Sequence, residues 1–184
     1  MIREGYAAVT SRRVEAEAGI KLHYHFGTLD DLFIAVVHRR GESNVELLTE
    51  ALASEQPLRA WWNLASERRG NMLLVELTAA GNHRPALQAE VAVFAHRVRQ
   101  MQIDTLETIL DDYGIDRDEF PPALVAAGIQ GLAFVMAHDR VAGFDTHQDE
   151  AVSAFERLLD RLEARRATAL NGGKRPGRVG TKRA

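Results

Sequence analysis

Thr10-Ser-Arg-Arg-Val-Glu-Ala-Glu-Ala-Gly-Ile20, Lys21-Leu-His-Tyr-His-Phe-Gly-Thr28 and Leu29-Asp-Asp-Leu-Phe33 run consecutively near the start of a 184-residue chain. Thr10 suits a helix N-cap, because its side-chain oxygen can accept from a backbone N–H that the first turn leaves unpaired. Gly19 suits the stop, since glycine enters the left-handed region without a Cβ penalty. A second short helix is expected over Lys21 to Phe26. Thr28 then starts a stronger helix, with Asp30 and Asp31 placing negative charge on its first turn. Leu32, Val36, Val37, Val45 and Leu48 carry this helix into the low fifties, with an interruption expected near Gly41. Two short helices joined through a glycine turn outline a helix-turn-helix, whose second helix enters the DNA major groove.

Helical periodicity continues outward from this segment, and no strand or hairpin signal is found. Pro57 suits the first turn of a helix carrying Trp61, Trp62 and Leu64. Asn71 is read as the cap of a helix from Met72 to Ala80, ended by Gly81. Pro85 opens the longest helix, where Leu87, Val91, Phe94, Val98, Met101, Leu106, Ile109 and Leu110 recur at steps of three and four before Gly114. Pro121-Pro122 precede a nearly all-apolar helix, Ala123 to Ala137, with Gly128 and Gly131 allowing close approach. A helix apolar all round is buried on several sides, or shared between its own domain and a partner. The last helix, about Gln148 to Arg166, presents Val152, Phe155, Leu158, Leu159 and Leu162 as one stripe. The fold class expected is all-α, with eight or nine helices. Residues 1–40 form a head, 41–166 a larger helical domain, and 167–184 a basic disordered tail.

Charge follows the same division. The net charge of −3 resolves into +1 for residues 1–40, −11 for 41–163 and +7 for 164–184. An acidic middle between a near-neutral head and a basic tail suggests parts with different tasks. The absence of cysteine excludes disulfides, thiolate zinc sites and cysteine nucleophiles. No signal peptide opens at Met1, and no apolar run reaches the ~18 residues of a spanning helix, so a cytoplasmic chain is expected.

The head resembles the DNA-binding domain of the tetracycline-repressor (TetR) family. That family reads approximately Thr-x-x-x-Ile-Ala-x-x-Ala-Gly-Val, then Leu-Tyr-x-His-Phe, then x-x-Lys-x-x-Leu. Thr10, Val14, Ala18, Gly19, Ile20, Leu22, His25, Phe26 and Leu32 fall on matching positions. The domain is shortened. Only Met1-Ile-Arg-Glu precedes the Gly-Tyr pair, where the family has a full first helix. The reading helix lacks about three residues, nearly one turn. His23 takes a usual tyrosine position, Leu29 replaces a phosphate-contacting lysine, and Glu15 stands where a small alanine is preferred.

The resemblance implies a ligand-responsive transcriptional regulator, a repressor released from operator DNA by a small-molecule effector. It implies a homodimer through the last two helices, with reading heads about 34–36 Å apart. It brings no cofactor, no metal and no membrane partner, and no enzyme activity is expected. The alternative is a dimeric helical small-molecule-binding protein that has lost sequence-specific DNA binding.

DNA contacts are expected from Thr10, Arg12, Arg13, Lys21, His23, Tyr24, His25 and Thr28, because cations and hydroxyls position a helix on phosphates and read base edges. Ordinary surface charge gives the same pattern. A ligand pocket in the larger domain would draw on Trp61, Trp62, Phe94, His96, Met101 and Phe134, although plain core is the better account of any single apolar residue among them and solvent exposure an equal account of His96. Leu132, Val135, Val152, Phe155, Leu159 and Leu162 are the expected dimer contacts. No metal site is expected. His23 and His25 project apart on a helix, and His83, His96, His138 and His147 form no i,i+4 pair. The acidic loop Asp111 to Glu119 lacks calcium-loop spacing.

Overall fold

Thr, Pro and Gly set most of the helix ends in the computed structural model, which is all-α. The structure describes residues 5, 8–144 and 146–172, with side chains left out at 68–72, 74, 141 and 167–172. The helices are α1 (Ser11–Ala18), α2 (Leu29–Leu52), α3 (Pro57–Ala65), α4 (Arg68–Gly81), α5 (Pro85–Asp112), α6 (Pro122–Ala142) and α7 (Gln148–Gly172), with a single 3-10 turn at Leu22–Tyr24. No strand occurs among the described residues.

Several boundaries differ from the sequence expectation, among them the end of α6, which runs to Ala142 and not Ala137. First, α4 starts at Arg68, so Asn71 lies inside the helix and not at its start. Second, α7 runs six residues past Arg166, so residues 167–172 of the expected disordered tail are helical. The remainder of that tail, 173–184, lies outside the described residues. Third, α2 passes unbroken through Gly41. The reason is tertiary: a Cβ at Gly41 would stand 2.3 Å from Cζ of Phe94. The glycine's unfavourable helix propensity, about 1 kcal/mol against alanine, is outweighed by the close seating of that ring from α5.

α2 therefore links head and body as one rod, about 36 Å long at 1.5 Å per residue. Its ends sit in different hydrophobic clusters. Phe33 and Val37 join Leu77, Ala80 and Leu87 from α4 and α5, so the head's core extends far beyond residue 40. Leu48 and Leu52 join the main core of Leu58, Trp61, Trp62, Leu106, Leu110, Ile129 and Leu159. Polar contacts reinforce the junction. Arg84 pairs with Asp30 and its guanidinium carbon lies 5.1 Å from the centre of the Phe33 ring. His38 Nε2 lies 2.8 Å from Glu90 Oε2.

α6 buries Val125, Ala126, Ile129, Ala133, Met136 and Ala137 along one side. Its segment Pro122–Arg140, 19 residues at mean hydropathy 1.2, is long and apolar enough to cross a membrane by length and composition alone. This corrects the expectation that no segment reaches that threshold. Isolated polar residues such as Gln130 and His138 interrupt the apolar run without lowering the average below it.

α7 is docked by charge as well as by leucines. Glu163, buried, accepts from the Leu58 N–H at 2.8 Å and the Arg59 N–H at 3.1 Å. Both amides belong to the first turn of α3, whose N–H groups have no partner within the helix and carry the positive end of its dipole. Tyr113, just beyond α5, donates its hydroxyl to the other Glu163 oxygen at 2.5 Å. Two turns earlier, Glu156 accepts from Trp62 Nε1 at 3.2 Å, and Arg59 bridges to Glu156 and Asp160.

Burial first, and then the Glu163 carboxylate, push the Tyr113 phenol well above its ordinary pKa of 10.0. The folded state thus holds a proton that the unfolded chain releases near pH 10. Stability is fully present below that pH and falls above it, at up to ~1.4 kcal/mol per pH unit from this group. Denaturation across pH 8–12 should show this decline, and Tyr113→Phe should flatten it, although losing the hydrogen bond lowers stability at pH 8. An unchanged alkaline slope in the variant would contradict this account.

Candidate nucleic-acid interface

The head is organised by its caps. Thr10 Oγ1 accepts from the Arg13 N–H at 3.3 Å, and Gly19 ends α1 at φ 67°. Thr28 and Asp31 form a reciprocal capping box at the start of α2, with bonds of 3.1 and 2.8 Å. Thr10 and Thr28, both expected on DNA, thus use their hydroxyl oxygens as helix caps.

Between these caps the expected helix over Lys21 to Phe26 is absent. A single 3-10 turn, Leu22–Tyr24, takes its place. The eight residues 20–27 between the two capped helices hold only this turn. Glu15 then fixes the tighter geometry. Its carboxylate accepts the Leu22 N–H at 2.8 Å, with Lys21 Nζ at 4.0 Å and His23 Nδ1 at 3.7 Å. An acid at position 15 thus satisfies the first amide of the turn. The spacing left room for such a turn, but nothing local in the sequence marked Glu15 as its partner.

Leu22 is buried and anchors the turn, while Arg12, Arg13, Lys21, His23, Tyr24 and His25 stand exposed on the same short segment. Tyr24 is 78% exposed, and its ring packs at 4.2 Å from that of His23. Arg13 reaches back to the Ala8 carbonyl at 3.4 Å. Phe26 and Leu32 are half-buried, consistent with support of the small head. The segment offers several cations and one aromatic ring to a polyanion, with Glu15 drawing on two of them.

Of the expected ligand-pocket residues, Trp61, Trp62, Phe94 and Met101 lie in or against the main core, whereas His96 and Phe134 do not. Trp61 and Trp62 are fully packed within the main core, and Phe155 stacks on Trp62 at 4.9 Å. Phe94 covers Gly41, and Met101 Sδ lies 3.9 Å from Thr49 Oγ1. His96 is exposed on α5, and Phe134 is 47% exposed on the outer side of α6. Helical phase explains the two outliers. On α5 the core face follows Val98, Gln102 and Leu106, and His96 lies off it. On α6 it follows Val125, Ile129, Ala133 and Met136, and Phe134 lies off it.

Two of the expected dimer contacts need correction. Leu159 and Leu162 are 1% and 5% exposed within the protomer's own core, so they are not available to a second chain. The stripe that contains them packs inward. Leu132, Val152 and Phe155 are half-buried against the same core. Val135, 50% exposed, lies on the outer side of α6 near Phe134, and Leu124 and Phe144 are also exposed.

Sequence reasoning missed Gln102. It is 1% exposed on the core face of α5, and neither amide atom has a hydrogen-bond partner among the described residues. Its position between Val98 and Leu106 carried the signal, a polar residue at an apolar register. An unpaired buried amide costs about 1–3 kcal/mol. Gln102→Met, similar in length and apolar, should therefore raise the melting temperature; a fall would show that the amide has a stabilising partner in solution.

Comparison of the chain with protein-family models, with curated proteins and with solved structures gives no match in any of the three.

Proposed function

We propose that the chain is a dimeric, ligand-responsive DNA-binding regulator of the tetracycline-repressor type, acting as a repressor. One observation carries the reading: a Thr-capped short helix, a left-handed Gly19 and a Thr28 capping box present exposed Arg12 and Arg13 on the helix and exposed Lys21, His23, Tyr24 and His25 at the turn. Head and body share α2, which suits coupling of an effector site in the body to the spacing of two heads. Because the reading element is one 3-10 turn, phosphate contacts from Arg12, Arg13 and Lys21 supply most of the affinity in this proposal.

The same turn favours a second reading. Three residues of 3-10 helix rise only ~6 Å, far less than the helix normally laid into a major groove. Glu15 also stands beside Lys21 and His23. In this second reading the protein is a dimeric helical small-molecule binder without base recognition.

Fluorescence anisotropy with the chain's own upstream DNA and a scrambled duplex, over a salt series, separates the two. The first reading expects tighter binding to the upstream DNA. Arg12→Ala with Arg13→Ala should then weaken both complexes and reduce the salt slope by about 1 per lost phosphate contact. Equal, weak affinity for both duplexes overturns it and leaves the second reading.

The dimer is proposed through the exposed side of α6. Apolar residues as large as Leu124, Phe134 and Val135 in water on one helix suit a second copy of the chain. Sedimentation should give a dimer at micromolar concentration, and Phe134→Glu with Val135→Glu should give a folded monomer. A monomeric parent chain would contradict this interface.

A further inference from the structure

Along α2, Arg39 and Arg40 lie three and four residues after Val36, and Ser43 lies four and three residues after them, so each arginine neighbours both Val36 and Ser43 on the helix surface. Among the described side chains they line an open groove of about 270 Å³. Its apolar part is Val36, which packs against the head cluster of Phe33, Val37 and Leu77. The groove thus adjoins the place where the head's core draws on α4.

The charge of the groove is uncompensated. Arg59, Arg84 and Arg117 each pair with one or two carboxylates. Arg39 and Arg40 pair with none among the described residues, although the body around them is acidic in composition. Arg39 is exposed and Arg40 half-buried, so both keep access to solvent. Two guanidiniums lining one groove present a large set of N–H donors. Their planar forks match the oxygens of a carboxylate or a phosphate in bidentate fashion. Ser43, one turn from Arg39 and Arg40, adds a hydroxyl. The volume lies at the small end of ligand sites, and a single aliphatic contact leaves little room for a large apolar body.

We propose that this groove binds a small organic oxyanion, a dicarboxylate or a phosphomonoester, held by Arg39 and Arg40 and oriented by Ser43. The site is independent of whether the head reads DNA. It also lies apart from Trp61, Trp62 and the other core aromatics.

Isothermal titration of the full chain with succinate and with inorganic phosphate tests the site and separates the two chemistries. One of the two should bind saturably, with one ion per chain, while sodium chloride at matched ionic strength gives no saturable heat. Arg39→Gln with Arg40→Gln should lower that affinity roughly tenfold to hundredfold, the loss expected for one or two charge-assisted hydrogen bonds. Circular dichroism should show the helices intact, and Arg161→Gln, a remote exposed arginine on α7, should bind as the parent does. If the double variant does not fold, Arg39→Lys serves instead, and weakened binding is again expected because an ammonium lacks the fork. The proposal is overturned if neither probe binds saturably, if the groove variants bind as the parent does, or if Arg161→Gln loses as much affinity.

Discussion

The carboxylate of Glu163 is the constraint on which the helical body closes. It reaches from α7 to the unpaired N–H groups at the start of α3, and it takes the hydroxyl of Tyr113 from the end of α5. Three chain segments more than forty residues apart in sequence are thereby held at one point. A buried charge is tolerated only when several donors replace water, and these donors differ in origin: backbone amides, a helix dipole and a phenol. Pro57 contributes indirectly. It occupies the first helical position, where a missing N–H costs nothing, and leaves the next two amides for the carboxylate. Trp61 and Trp62 then enter the core on the inner side of α3, and Glu156 receives the one polar atom that Trp62 brings with it.

The helical architecture was largely legible because its signals are local. Thr10, Thr28, Pro57, Pro85 and Pro122 mark true helix starts, since a cap or an N-terminal proline acts within one turn of its own position. What was not legible depended on distant neighbours. Gly41 reads as a break until Phe94 is placed against it. Asn71 reads as a cap until the preceding residues are found to be helical. Leu159 and Leu162 announce an apolar stripe, but periodicity gives only the angular position of a stripe and says nothing of what covers it. The buried acid Glu163 and the buried amide Gln102 sit at positions where composition alone would place solvent-facing groups.

The candidate interface divides in the same way. Its two capped helices follow from Thr10, Gly19 and Thr28, whereas the element between them depends on a side chain seven residues upstream of the amide it holds. Glu15 has two effects there. It supplies an acceptor beside the turn, and it holds the Leu22 N–H at the start of a 3-10 turn rather than the first turn of an α-helix. The exposure of Tyr24 and His25 follows from that geometry. In an α-helix of the same sequence, successive side chains would step by 100° and a full turn would stand between the caps.

The continuity of α2 constrains any coupling between head and body. Among the described residues, no break in its hydrogen-bonded path separates Asp30, which pairs with Arg84, from Leu52, which packs beneath Trp61 and Trp62 in the main core. A rod held at Gly41 by an aromatic ring and beside it by the His38–Glu90 contact has little freedom to bend at that point. Motion of the head relative to the body therefore requires α2 to pivot as a unit against α4 and α5, not to flex in its middle. Val36, Arg39, Arg40 and Ser43 lie on this rod, from the edge of its head cluster to just past its seat on Phe94. An ion held there would act on the one element that the head and the body share.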